Sequence, residues 1–197
     1  MIRVKTIFGK MFSLKTSDKK LFHSIIQDYS PSKAVCPHCG AIGRCHFHDS
    51  YDRWLITVKN GIRSDSFVSI PRMMCNSCEK THAVLPDVLI PHSSYTLRFI
   101  INILYGYLKR KSTVQGFCAF WGIATSTLYT WINLFKNQAS LWFGILKEIK
   151  SITIPAINAI CLADCLPSSF LQRFGFSFLQ FKPSPSATPS RRKPDTS

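Results

Sequence analysis

Four cysteines in two short motifs are the residues of this chain best suited to chemistry. Cys36 and Cys39 are separated by two residues in CPHC, and Cys75 and Cys78 repeat that spacing in CNSC. A Cys-x-x-Cys motif places two sulfurs on one tight turn, so two such turns can complete a tetrahedral sulfur cage of the kind that zinc prefers. The spacing therefore predicts one structural Zn2+ per chain, held by these four cysteines.

The paired cysteines would also be compatible with a redox device, a disulfide staple, or iron bound in the rubredoxin manner. Redox pairs of the thioredoxin type usually open a helix in a β-α-β unit, and these motifs do not. Disulfides are disfavoured by the intracellular setting predicted below, whereas iron uses the same four sulfurs. The side chains that could replace a cysteine as ligand are His38, Cys45, His46, His48 and His82. The simpler assignment needs none of them.

A β-hairpin is predicted between the two motifs and would bring them together. Residues 52–74 contain two β-rich runs on either side of Asn60-Gly61, and Asn-Gly is a strong signal for a two-residue hairpin turn. Residues 81–94 contain two prolines and are predicted to be an extended connector.

From Ser94 onwards the apolar period changes to 3.6 residues, which predicts three helices. The apolar face of the first consists of Leu97, Ile100, Ile101, Leu104, Tyr105 and Leu108. The second follows a capping Ser112 and ends at Gly122. The third begins near Thr125 or Ser126 and continues to Leu146. Its predicted buried face includes Leu128, Trp131, Ile132 and Phe135.

The second and third helices, with the turn at Gly122, have the layout of a helix-turn-helix, whose second helix enters the DNA major groove. The outward side chains of that helix are small hydrogen-bonding groups, a tyrosine and a cation, which suit base edges and phosphates. These predicted DNA-binding residues are Ser126, Thr127, Tyr129, Thr130, Asn133 and Lys136. The predicted phosphate contacts are Lys109, Arg110 and Lys111. An ordinary three-helix packing unit is the alternative.

The net charge of the chain is strongly positive. It has 25 Lys and Arg against 10 Asp and Glu, a formal net charge of +15. Residues 36–91 carry six basic and five acidic side chains, whereas residues 92–150 carry seven and one. Such an excess opposes compaction unless a polyanion is the partner, and nucleic acid is the commonest one. The charge therefore predicts DNA as partner, with an acidic membrane surface as the alternative.

The sequence predicts neither a membrane span nor a secretory signal. It has no run of about 18 apolar residues, and lysines interrupt the N-terminal stretch before a signal-peptide core could form. The predicted location is the cytoplasm, in association with the nucleoid, without a membrane partner.

These patterns together predict an α+β fold. It consists of a small β-hairpin zinc ribbon, an all-helical helix-turn-helix unit and a disordered basic C-terminal tail. The predicted sections are an N-terminal basic arm with a short helix (1–33), the zinc ribbon (34–91), the helical domain (92–150), an aromatic and apolar segment (151–181) and the tail (182–197).

The whole arrangement resembles a known group of proteins. The two cysteine motifs, the segment CEKTHAVLPDVLIP, and the helices ending in STLYTWINLF are similar to bacterial zinc-ribbon proteins related to insertion-sequence transposases. The resemblance covers residues 34–148 and is closest to an uncharacterised family, a domain of unknown function. It implies that the four cysteines are zinc ligands and that the module grips or reads DNA.

The resemblance stops short of a catalytic domain. Full transposases of this kind hold three carboxylates that bind two metal ions for phosphoryl transfer, but after residue 92 only Glu148, Asp164 and Asp195 are acidic. The resulting hypothesis is a non-enzymatic, zinc-dependent DNA-binding protein associated with a mobile element. The alternatives are a truncated or split transposase and a zinc-scaffolded protein–protein adaptor. Residues 138–181 are the predicted contact for a second copy or a transposase partner.

Overall fold

In the part of the chain that the structure describes, the fold is a four-stranded sheet followed by helices. The computed structural model describes residues 1–4, 22–23, 26–27, 29–86, 89–109, 112–138, 141, 170, 172–174 and 177–180. The strands are β1 (Ile2–Val4), β2 (Cys45–Lys59), β3 (Ile62–Cys75) and β4 (Thr81–Pro86), in the spatial order β1-β4-β3-β2. A short 3-10 helix, Pro31–Lys33, precedes β2. Of the helix predicted in the N-terminal arm, the described residues 22–23 and 26–27 are helical. The predicted mixed α+β class is confirmed at this level.

β2 and β3 form one long antiparallel hairpin, as the Asn-Gly pair predicts. The register runs from Cys45 opposite Cys75 at the open end to Lys59 opposite Ile62 beside the turn. At about 3.3 Å per residue, a strand of this length separates the two ends by roughly 45 Å. The cysteines at the open end are therefore remote from the turn.

Two strands of the sheet are absent from the sequence-based prediction. Residues 81–94 are predicted to be an extended connector, but Thr81–Pro86 pairs antiparallel with β3 and parallel with β1. β1 itself comes from the section predicted as a basic arm. The prediction is wrong here because β4 lies between two strands and is mostly buried, so it lacks the alternation that marks a half-buried strand. The hairpin is part of a larger sheet than predicted.

Three helices with described bounds follow the sheet: α1 (Leu97–Leu108), α2 (Val114–Trp121) and α3 (Thr125–Asn137). The described residues 141, 170 and 172–174 are also helical. Thr96 and Thr113 cap the first two, because each hydroxyl accepts a hydrogen bond from the backbone N–H three residues later. The predicted cap Ser112 is one residue too early. The continuation of α3 to Leu146 falls largely on residues outside the described ones. None of the described helices has the length and apolar character that a membrane crossing requires.

One hydrophobic core joins the sheet to the helices. It includes Leu55 and Ile70 from the hairpin together with the buried faces of α1, α2 and α3. Phe99 of α1 lies between the helices, with its ring edge-to-face with Trp121 and Trp131 at centroid distances of 5.8 and 6.2 Å. Aromatic pairs in this arrangement add to the free energy gained by burial. The helices are therefore fixed against the hairpin through a shared core.

Residues 177–180 pack against the end of α3. Buried Gln138 donates a hydrogen bond to the Gln180 carbonyl and accepts one from the Leu179 N–H, each at 2.9 Å. The Phe178 ring is buried, 6.4 Å from the Phe135 ring. This part of the predicted aromatic segment thus docks on the body of the protein. Most of residues 151–181, and the tail 182–197, lie outside the described residues.

Candidate metal centre

The two cysteine motifs fold into turns with the same hydrogen bonds. In each turn the N–H of the first cysteine donates to the carbonyl five residues later, and the N–H four residues later donates back to the carbonyl of that cysteine. The bonded residues are Cys36 with Gly40 and Ala41 (2.9 Å each), and Cys75 with Glu79 (2.8 Å) and Lys80 (3.1 Å). Because Cys75 ends β3, the second turn lies at the open end of the hairpin.

Four sulfur atoms converge between these turns. Cys36 Sγ lies 3.7 Å from Cys78 Sγ, and Cys39 Sγ lies 3.7 Å from Cys75 Sγ. All four lie within 4.8 Å of one another. Four sulfurs at about 2.3 Å from a zinc ion would be about 3.8 Å apart at the corners of a tetrahedron, so the geometry fits. The four cysteines could therefore hold a metal ion such as zinc, and no other Cys, His, Asp or Glu of the described residues belongs to the cluster.

The pKa values of the thiols indicate that four thiolates need a positive charge beside them. The backbone N–H of Ser77 lowers the pKa of Cys75 to about 6. The pKa of Cys78 is instead raised to about 12: the backbone N–H of Lys80 favours its thiolate, but burial and hydrogen bonds with the other three sulfurs outweigh it. Sulfurs in contact cannot all be anionic without a positive charge beside them. The cluster would hold four thiolates only around a bound cation.

His82 is a buried side chain next to the cluster. It lies in β4 with 9% of its surface exposed, and its Nε2 is 3.3 Å from Cys36 Sγ. Burial, then the nearby N-terminal amino group and His38, lower the pKa of its ring, which favours the neutral form. Because a thiolate can only accept a hydrogen bond, a neutral His82 protonated at Nε2 would donate to Cys36. His82 thus contacts one of the four sulfurs and does not replace it.

Cys45 is a fifth thiol beside the cluster. It is buried and lies opposite Cys75 in the hairpin register, and burial raises its pKa, which keeps it a neutral thiol. The other side chains considered as substitutes, His38, His46 and His48, are exposed. Neither Cys45 nor any of these histidines belongs to the group of four converging atoms.

The described residues among those predicted to bind DNA lie on α3 and directly after α1, away from the thiols in sequence. The α3 side chains with exposed or half-exposed positions are Ser126, Thr127, Tyr129, Thr130, Asn133 and Lys136. The opposite face is buried as predicted, at Leu128, Trp131, Ile132 and Phe135. Lys109 is exposed, with its ammonium 4.1 Å from the centroid of the Tyr105 ring. Arg110 and Lys111 lie outside the described residues.

Arg63 joins the hairpin to the turn between α2 and α3, a contact that sequence reasoning missed. Its Nη1 donates to the Gly122 carbonyl at 2.6 Å and to the Trp121 carbonyl at 3.4 Å. Its Nε and Nη2 donate to the two carboxylate oxygens of Asp65 at 2.8 and 2.9 Å. Arg63 and Gly122 are 59 positions apart, so no local pattern could have indicated their contact.

Two features of the structure favour glycine at position 122. Its φ of 60° is left-handed, a conformation that glycine adopts without strain. A Cβ at this position would also lie 2.7 Å from Arg63 Nη1. A side chain here would therefore displace the Arg63 guanidinium from its bonds to the carbonyls of Trp121 and Gly122.

The fold and the thiol cluster define a mixed α+β protein in which four cysteines could hold a metal ion such as zinc. Residues 36–131 match a family model described as "Domain of unknown function (DUF6431)". This confirms the predicted resemblance to an uncharacterised domain of unknown function; the link to transposases stays a prediction. The matched segment begins at Cys36 and ends at Trp131 in α3, so it includes the four cysteines and the hairpin. None of the curated proteins and none of the solved structures compared with this chain matches it.

Proposed function

We propose that this protein binds DNA through a helix-turn-helix formed by α2 and α3, beside a zinc ribbon formed by the hairpin and the two cysteine turns. One structural zinc ion would be held by Cys36, Cys39, Cys75 and Cys78. The sections proposed for these two roles are residues 34–91 and 92–150. The resemblance to transposase-related proteins further suggests a mobile-element association without a catalytic domain.

The proposal rests on the contrast between the buried apolar face and the exposed polar face of α3. Its apolar residues are buried against α1 and α2, whereas its polar residues remain at the surface. Asn133 is exposed, Thr130 is half-exposed, and Lys136 adds a cation in the last turn of the helix. Amide and hydroxyl groups read base edges in the major groove, and cations bind phosphates. The polar face of such a helix is suited to lie in the DNA major groove, while its apolar face packs on the body of the protein.

The charge of the chain supports a polyanionic partner. The excess of 15 positive charges favours association with phosphates, and the binding would weaken as salt rises because counterions are released. Three consecutive basic residues follow α1 in the sequence, and we propose them as phosphate contacts: Lys109, Arg110 and Lys111. If six basic groups engage phosphates, the slope of log affinity against log salt should be about −5.

The test is a titration of labelled duplex DNA, first with random sequence and then with the sequence that the protein itself selects. Thr130→Ala and Asn133→Ala should weaken binding to the selected duplex by about 1–3 kcal/mol and leave random-sequence binding unchanged. Thr81→Ala, an exposed threonine of β4, is the matched control and should bind as the parent does. If Thr130→Ala and Asn133→Ala bind every duplex as the parent does, α3 is not the reading helix.

A variant in the hydrophobic core distinguishes loss of DNA recognition from loss of folding. Trp131 is buried, with its ring 4.8 Å from that of Tyr95, and Trp131→Ala should lower the free energy of unfolding by about 3–5 kcal/mol. It should therefore lose DNA binding together with its thermal transition. Thr130→Ala and Asn133→Ala should keep the transition of the parent.

A protein–protein adaptor is a second candidate, favoured by one feature of the sheet. Trp54 and Phe67 face each other across the hairpin with ring centroids 4.3 Å apart, yet they are 39% and 52% exposed. Exposed aromatic pairs are typical of protein interfaces. Salt-insensitive binding of a protein partner that is lost in Trp54→Ala, with no DNA affinity in the parent, would favour the adaptor.

A further inference from the structure

We propose that the tip of the hairpin, Lys59 to Ile62, is a second DNA contact that grips the backbone and minor groove beside the site of α3. This inference rests on the proposed function and adds a contact surface that the helices alone do not supply. It follows from where Arg63 holds the tip, from what the tip exposes, and from the charge around it.

Arg63 fixes the hairpin tip against the start of the proposed reading helix. Its three guanidinium nitrogens are all engaged, one with the carbonyls that end α2 and two with Asp65. The carbonyl end of a helix carries partial negative charge, which attracts a guanidinium. Thr125, the first residue of α3, is three residues after Gly122, a span of at most about 11 Å. The tip therefore lies near the N-terminal end of α3.

That end of a reading helix is the one that meets DNA in a helix-turn-helix, because its N-terminal residues contact the base edges. An element attached at the turn is consequently carried to the duplex surface when α3 enters the major groove. The tip is short and stiff, since Lys59 pairs with Ile62 across a two-residue turn in which Asn60 and Gly61 have φ of 51° and 76°. It can reach a neighbouring groove without a large loss of conformational entropy.

The side chains of the tip suit the minor groove and its phosphates. Lys59, Asn60 and Ile62 are all exposed, and Ile62 has 62% of its surface in solvent. Proteins that contact the minor groove use lysine and asparagine together with apolar side chains. Among the described residues, Ile62 belongs neither to the two buried hydrophobic clusters nor to the partly buried side chains packed against them.

The charge at this end of the hairpin is also favourable. Between Val58 and Ser64 the sequence contains Lys59 and Arg63 and no carboxylate. The nearest acid in the sequence, Asp65, is bonded through both oxygens to Arg63. The sequence neighbours of Lys59 therefore add no net negative charge that would oppose a phosphate there.

The experiment compares Lys59→Ala and Ile62→Ser with the parent on the duplex that the parent selects. Both positions are exposed, so both variants should keep the thermal transition of the parent. Lys59→Ala should reduce the magnitude of the salt slope by about 0.9, the contribution of one phosphate contact. Ile62→Ser should remove hydroxyl-radical protection in the minor groove next to the α3 site while keeping the sequence preference. Lys33→Ala, which removes an exposed lysine before β2, should change neither readout.

The outcomes distinguish the tip contact from the proposed function itself. If Lys59→Ala and Ile62→Ser keep the salt slope and the footprint of the parent, while Asn133→Ala loses sequence preference, the tip contact is wrong and DNA reading by α3 stands. If the parent binds no duplex at any salt, both proposals are wrong. Equal loss in the Lys33→Ala control would show a general charge effect and would also overturn the tip contact.

Discussion

Glu79 occupies in the second cysteine turn the position that Gly40 occupies in the first. Each N–H donates to the carbonyl of the first cysteine of its motif, four residues earlier. Each backbone is left-handed, with φ of 75° at Gly40 and 57° at Glu79. Glycine adopts this conformation freely, whereas a residue with a Cβ is strained there by about 1–2 kcal/mol. The two turns therefore have the same geometry but different intrinsic stability.

Exchanging the residue types should shift stability in opposite directions. Gly40→Ala should lower the free energy of unfolding by about 1 kcal/mol from the backbone alone, because a Cβ there meets no atom within 4 Å. Glu79→Gly should raise it by about 0.5–1 kcal/mol, since relief of strain exceeds the added flexibility of the unfolded chain. Thermal unfolding at one fixed concentration of free zinc measures both. A loss of stability in Glu79→Gly would contradict the strain argument.

The metal content of cysteine variants should distinguish the four proposed ligands from Cys45, which lies beside them. We expect protein purified without chelator to contain one zinc ion per chain, and Cys75→Ser to contain no stoichiometric zinc because the tetrahedron is left incomplete. Cys45→Ala is the matched control: it removes a buried thiol that lies opposite Cys75 but outside the cluster, and it should keep one zinc. Elemental analysis gives the stoichiometry. Loss of zinc in Cys45→Ala would make Cys45 a ligand, and a parent without any metal would refute the site.

His82 should control how tightly the metal is held without being a ligand. Side chains that hydrogen-bond to metal ligands typically change metal affinity by about 10- to 100-fold. His82→Ala should therefore keep one zinc per chain but release it faster to a chelator, and His82→Gln, which retains an N–H donor, should restore part of the difference. His46→Ala, an exposed histidine of β2, should release zinc as the parent does. If His82→Ala releases zinc at the rate of the parent protein, His82 has no effect on zinc retention.

Gln138 should hold residues 177–180 to the end of α3. Gln138→Ala leaves the Leu179 N–H and the Gln180 carbonyl without their side-chain partner, and an unsatisfied buried polar group costs about 1–3 kcal/mol. Asn137→Ala, at the exposed neighbouring position, should change the free energy of unfolding by less than about 0.5 kcal/mol. Urea unfolding measures both variants. Equal stability of the two variants would show that the hydrogen bonds of Gln138 do not contribute to the free energy of unfolding.

The sequence predicts the parts of this fold that have local causes. The Asn60-Gly61 turn, the helix end at Gly122 and the buried face of α3 each follow from a short pattern, and the structure contains them at the predicted places. The buried face of α1 is predicted only in part, because Tyr105 and Leu108 are half-buried, whereas Phe99 and Ile103 are fully buried although the pattern does not predict them. The cysteine spacing likewise predicts a four-thiol cluster, because each motif forms its own turn and the hairpin between them joins the two.

The features of the fold that the sequence does not predict depend on contacts between residues that are far apart in the chain. β4 is recognisable only once β1 and β3 are placed on either side of it. His82 is one of six histidines, and only the sheet brings its ring to Cys36. The contact of Arg63 with Gly122 arises because the far end of a long hairpin returns to the helices.

The parallel pairing of β1 with β4 imposes an order on folding. Ile2 is paired with Val84, 82 positions further along the chain, so β1 is synthesised long before its partner strand exists. The hairpin can form from contacts between near neighbours, whereas β1 must wait for β4 and then close a long loop. Ile2 and Val84 belong to the small core that also contains Cys36 and Cys75. The thiol cluster is therefore expected to gain its full protection from solvent late in folding, and a nascent chain would carry accessible cysteines until β4 has emerged.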